Sequence, residues 1–145
     1  EAPRAAVFHE IRALGTDADR IWPSARMPFV RTPGAPCVGS TTERHGIIRA
    51  TLDRYEPDSA LVWRSNLSYI VGTHGFFVEA TSPTTCVVEH VLDARLGWWF
   101  VPAWQLKVAA VHDLIIERLF DRLAAAVTSP WPWPRPPEAM PFSPA

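Results

Sequence analysis

The sequence predicts an α+β fold in which a curved antiparallel sheet wraps around one long C-terminal helix. Three observations predict it. Strand-like runs succeed one another through the middle of the chain with turn residues between them. No helical pattern interrupts those runs, which argues for an antiparallel meander over βαβ units. From Ala103 to Val127 there is neither Gly nor Pro, and Trp104, Val108, Val111, Ile115, Leu119 and Leu123 recur every three or four residues as one apolar stripe. At 145 residues the chain suits one domain, read as residues 1–128, followed by a separate tail at 129–145.

Taken in order, Val7–Leu14 alternates and reads as a first strand, broken by Gly15. Thr16 suits the N-cap of a short helix from Asp17 to about Trp22, stopped by Pro23. Met27–Gly39 carries Pro28, Pro33, Gly34 and Pro36 and reads as a loop. Strands are expected over Val38–Arg44, Ile47–Tyr55, Ala60–Ser68, Thr73–Ala80 and Thr85–Arg95. Glu56-Pro57-Asp58-Ser59 and Thr81-Ser82-Pro83-Thr84 supply turns between them. Pro102 fits the first turn of the long helix. Seven prolines among residues 129–145 stop that helix and imply an extended tail carrying Trp131, Trp133 and Phe142.

Composition narrows the function classes. A net charge of −1 without a basic block argues against nucleic-acid binding. No apolar run reaches the ~20 residues that cross a bilayer, and no signal-peptide pattern opens the sequence. Cys37 and Cys86 make neither a disulfide framework nor a zinc motif, so two free thiols in a reducing cytoplasm are expected. G-x-S-x-G, P-loop and G-x-G-x-x-G patterns are absent, so acyl hydrolysis, NTP use and dinucleotide binding have no sequence support. No cofactor is expected.

Several local motifs add a likeness. Ile21-Trp22 follows the first element, and Val38-Gly39 precedes the second strand. Tyr55-Glu56-Pro57 is followed by Leu61-Val62-Trp63, and His74–Glu79 by Thr84–Val87. In this order they resemble the START/SRPBCC, or helix-grip, superfamily, which includes birch-pollen-allergen-like and polyketide cyclase-like proteins and lipid-transfer domains. The resemblance covers residues 5 to 127 or so. Two departures stand out: prolines replace much of the usual helical segment after the first strand, and the Pro-rich tail has no counterpart. The resemblance implies a ligand pocket between sheet and helix. It does not imply a reaction, because the fold hosts binders, carriers and enzymes.

Alternation and helical spacing nominate the pocket wall. The strands supply Leu61, Trp63, His74, Phe76, Val78, Val88 and His90, with Cys86 and Leu92 on the same face. The helix supplies Trp104, Val108 and His112, with Val111 and Ile115 beside them, and Trp99 is a lip residue in the Trp98-Trp99-Phe100 run. For each apolar residue the plainer reading is ordinary core. His74, His90 and His112 converge on the predicted inner faces, where one could act as a general acid or base. No H-x-x-x-H or H-E-x-x-H spacing occurs, so no metal ligand is assigned. Arg49, Arg54 and Arg64 could pair with a ligand carboxylate, although alternation turns Arg64 away from Trp63.

The expected function is therefore binding of a hydrophobic small molecule: a lipid, a polyketide or an aromatic metabolite. A cyclase- or dehydratase-like enzyme using a histidine and an arginine in the same pocket is the alternative. A protein-interaction module acting through the Trp-Pro tail is a third, and a homodimer stays open as an assembly.

Overall fold

The computed structural model describes residues 1–128, and the tail at 129–145, with the docking role its Trp-Pro content implies, lies outside the described residues. The first element differs from the expected strand. Arg4–Ala13 is a helix, α1. The same residues satisfy both periods, but the helical stripe is the cleaner one: Val7, Phe8, Ile11 and Leu14 are all buried. Alanines and the lack of Gly or Pro favour the helix as well. Gly15, at φ 73°, ends the segment. A Cβ there would lie 2.7 Å from the Phe29 ring and 2.9 Å from the Arg31 nitrogen, so only glycine fits this turn.

The expected helix at Asp17–Trp22 is a turn. Asp19 takes over the local backbone donors: its carboxylate accepts hydrogen bonds from the N–H groups of Gly15, Ile21 and Trp22. Such competition with helical bonding is usual for aspartate, whose short side chain reaches nearby backbone groups. Burial raises the Asp19 pKa despite those three bonds. Glu10, buried on α1, receives a bidentate pair from Arg20, which tethers this turn to the helix.

Among the described residues six strands form one antiparallel meander in sequence order. They are β1 (Val30–Arg31), β2 (Thr42–His45), β3 (Ile48–Glu56), β4 (Ala60–Ser65), β5 (Ile70–Ser82) and β6 (Thr85–Leu96). The loop expected at 27–39 thus contains a two-residue edge strand, and β2 starts four residues later than expected, because 38–40 form a turn. Asp53 is the extra residue of a bulge between the Leu52–Trp63 and Arg54–Val62 pairs, which increases local twist. Gly75 lets β4 and β5 approach closely, since a Cβ there would meet the Leu61 carbonyl oxygen at 2.5 Å.

The last helical segment opens with α2 (Val101–Ala103), widens through a π-helical turn at Trp104–Val108 and continues as α3 (Ala109–Thr128). In the π turn the Ala109 N–H reaches back five residues to the Trp104 carbonyl. Such wide turns are frequent beside functional sites. The apolar stripe of α3 faces the concave side of the sheet, and α1 closes one end. Phe8, Ile11, Leu61, Val78, Leu119 and Leu123 are among the buried residues that join there. Among the described residues no helix is long and apolar enough to cross a membrane.

Candidate functional site

At the other end of the sheet the helix and strands do not meet fully. A cavity of about 240 Å³ remains between them. Its walls come from the first halves of the helical segment and of β5, the ends of β4 and β6, the β2–β3 turn at His45–Ile48, and the segment from Trp22 to Phe29. Of the residues nominated from sequence, Trp63, His74, Phe76, His90, Trp104, Val108 and His112 line it. Leu92, Val111 and Ile115 line it as well.

The remaining nominees sit elsewhere. Leu61 and Val78 are buried in the filled end of the core, and Val88 packs against that core from its edge. Alternation gave their side of the sheet but not their position along it. Trp99 is 56% exposed and leans on Tyr69 at a ring distance of 5.1 Å. Its neighbour Phe100 is the aromatic that turns inward, and Trp98 faces solvent. The three arginines are also exposed and away from the cavity. Arg64 pairs with Asp53, Arg54 pairs with Glu56, and Arg49 donates to the Gly46 and Ile48 carbonyls. Lys107 is the cation among the lining residues.

A row of imidazoles runs through the cavity. His45 and His74 are 5.5 Å apart between ring centres, His74 and His90 6.2 Å, and His90 and His112 5.2 Å. Trp104 continues the row 6.1 Å beyond His112. His45 stacks on Phe29 at 5.1 Å and meets the Trp22 ring edge-on. Strands β2 and β5 are three places apart in the sheet. A flat sheet would separate them by roughly 14 Å, so the contact between His45 and His74 records how strongly the sheet curls.

Behind this row lies Glu43, whose side chain is fully enclosed. One carboxylate oxygen is 2.7 Å from His45 Nδ1. The other is 3.4 Å from His74 Nε2, a long contact that leaves both buried atoms without a close hydrogen-bond partner. Burial alone would raise the Glu43 pKa, but the two imidazoles facing its oxygens outweigh burial and hold it below the usual value. Burial lowers the His74 pKa more than Glu43 restores it. His90 is pushed down to about 3, chiefly by burial and then by His112, His74 and His45. At neutral pH the row therefore contains a buried carboxylate beside neutral His74 and His90.

Sequence reading missed Glu43 and His45. In Thr42-Glu43-Arg44-His45 the period of two puts Glu43 and His45 on one face, which was the available signal. Nothing local shows that this short charged strand folds inward. Trp22 and Phe29 were missed for a different reason: their segment has no periodicity. Both cysteines are free, Cys37 exposed and Cys86 half-buried. No protein-family model, curated protein or solved structure matches the chain.

Proposed function

We propose that this chain binds an apolar small molecule, such as a lipid, polyketide or aromatic metabolite, within a helix-grip architecture of the START/SRPBCC kind. The observation that carries the reading is the cavity: apolar walls from both sheet and helix, with a few polar groups, chiefly a row of imidazoles together with Ser65, Thr73 and Lys107. That is the composition of a small-molecule site, in which apolar area supplies affinity and a few polar groups supply orientation. Moving ~300 Å² of ligand apolar surface out of water contributes about 7 kcal/mol gross, less the ordering costs of association. The free thiols are in keeping with a reducing cytoplasm.

The test is displacement of a fluorescent apolar probe, combined with native mass measurement of freshly purified protein for a co-purified ligand. Val108→Trp should fill the cavity, abolish probe binding and leave the far-UV spectrum unchanged. Probe binding that survives this substitution places the ligand elsewhere and removes the reading.

A second reading, a cyclase- or dehydratase-like enzyme, is favoured by one contact. Glu43 accepting from His45 Nδ1 would fix the tautomer and leave Nε2 with the lone pair of a general base. Turnover of a displacing compound, lost in His45→Ala, would select it over simple binding. No arginine is among the lining residues, so the arginine expected to act with a histidine is not in the cavity.

A further inference from the structure

We propose that Glu43, His45 and His74 form a binding site for one divalent first-row transition ion at the wall of the cavity. Two imidazoles and one carboxylate are a donor set suited to zinc or ferrous iron, with remaining coordination positions open to solvent or ligand. Their donor atoms all lie within 4.8 Å of one another. Two donors held about 2.1 Å from a common ion stand roughly 3.0 to 3.4 Å apart, for octahedral and tetrahedral angles respectively. Glu43 Oε1 and His74 Nε2, 3.4 Å apart, already stand at such a separation, and Glu43 Oε2 and His45 Nδ1, hydrogen-bonded at 2.7 Å, would part slightly to admit the ion.

Charge and burial point the same way. Glu43 is a fully enclosed carboxylate, and a buried charge needs a partner. Its cross-strand neighbour is Arg31, yet that guanidinium donates to the Arg12 and Gly34 carbonyls instead. The groups that do face Glu43 are two imidazoles, with Glu43 Oε1 and His74 Nε2 both buried and unsatisfied. A cation between them would satisfy both atoms and neutralise the carboxylate at once. Because His45 and His74 line the cavity, its open positions would face that space. Motif spacing does not reveal such a site, because the histidines are far apart in sequence and only the curl of the sheet unites them.

The proposal is independent of the apolar-ligand reading, so it is tested with metal alone. Full-length protein dialysed against chelator is titrated with Co(II), followed by its visible absorption, and with zinc by calorimetry. The expected result is one equivalent per chain, saturating at micromolar metal. Glu43→Gln and His74→Asn should each weaken binding at least tenfold, while His9→Gln, an exposed histidine on α1, should leave it unchanged. If Glu43→Gln fails to fold by circular dichroism, His74→Asn and the wild-type cobalt spectrum decide. Absence of saturable binding by the wild type, retention of full affinity in folded His74→Asn, or loss of binding in His9→Gln would each overturn the site.

Discussion

The two ends of the sheet–helix sandwich are built from the same elements yet behave as different materials. At one end Leu61 on β4, Val78 on β5 and Leu119 and Leu123 on α3 close against Phe8 and Ile11 of α1. At the other end the same strands and the same helix offer Trp63, His74, His90, Val111 and Ile115, and there the opposing surfaces leave the cavity. The boundary on the helix falls between Ile116, which lines the cavity, and Leu119, which has no exposed surface. Two local features set the difference. Helix α1 is a plug for one end only. The π turn widens the helix at the other end, where Trp104 and Val108 line the cavity. The lesson is a division of labour: dense packing holds the fold at one end, so the other end can stay unfilled.

The largest expected effect that would break this comparison is at the filled end. Leu119→Ala should cost about 2–5 kcal/mol, the range for a buried large-to-small change in a site that cannot collapse. It should leave probe binding in the cavity unaltered. Chemical denaturation and probe titration of the same variant check both halves, and a shift in probe affinity as large as the shift in stability would show that the two ends are one unit.

The next effect concerns protons. In the unfolded chain an imidazole titrates near ~6.5, whereas folded His90 is held down at about 3 with His112, His74 and His45 facing it. Between these values the unfolded chain binds a proton that the folded chain refuses. Stability from this group is therefore complete above pH ~6.5 and declines as pH falls toward the folded value. At pH 5 the loss amounts to about 2 kcal/mol. His74, lowered in the same direction, adds to the slope. Metal-free protein should thus lose stability between pH 7.5 and 5, and His90→Gln should flatten that profile. An equally steep profile in the variant would locate the proton uptake elsewhere.

Much of the architecture was legible in the sequence, the division between its two ends was not, and the failures have physical causes. The apolar stripe from Trp104 to Leu123 and the β5–β6 hairpin are strong local signals, because long elements repeat their period many times. Arg4–Ala13 was ambiguous because ten residues can satisfy both periods at once. The face of each inward residue followed from alternation on the strands and from helical spacing on α3, which is why His74, His90 and His112 were found together. The position along the sheet did not, so Leu61 and Val78 were assigned to a pocket when they belong to the core. Glu43 and His45 needed the one quantity that no local pattern encodes, the curvature that carries β2 over β5.

The smallest expected stability effect is the sharpest test of the cavity itself. Val111 lies on the helical stripe, eight residues before Leu119, and lines the cavity. Truncating a packed side chain removes its transfer energy and also leaves a new void, and the second part makes core changes expensive. At Val111 part of the side chain already faces empty space, so fewer packing contacts exist to lose. Val111→Ala should therefore cost less than about 1 kcal/mol, well below Leu119→Ala. Ligand binding should respond in the opposite proportion. Two methyl groups withdrawn from a ligand wall remove up to about 0.8 kcal/mol of contact each, enough to weaken a probe by as much as about tenfold. Denaturation and probe titration on one preparation give both numbers. A stability cost near that of Leu119→Ala would mean that Trp104, Phe29 and their neighbours fill the space in solution, and the two ends would then be equally packed.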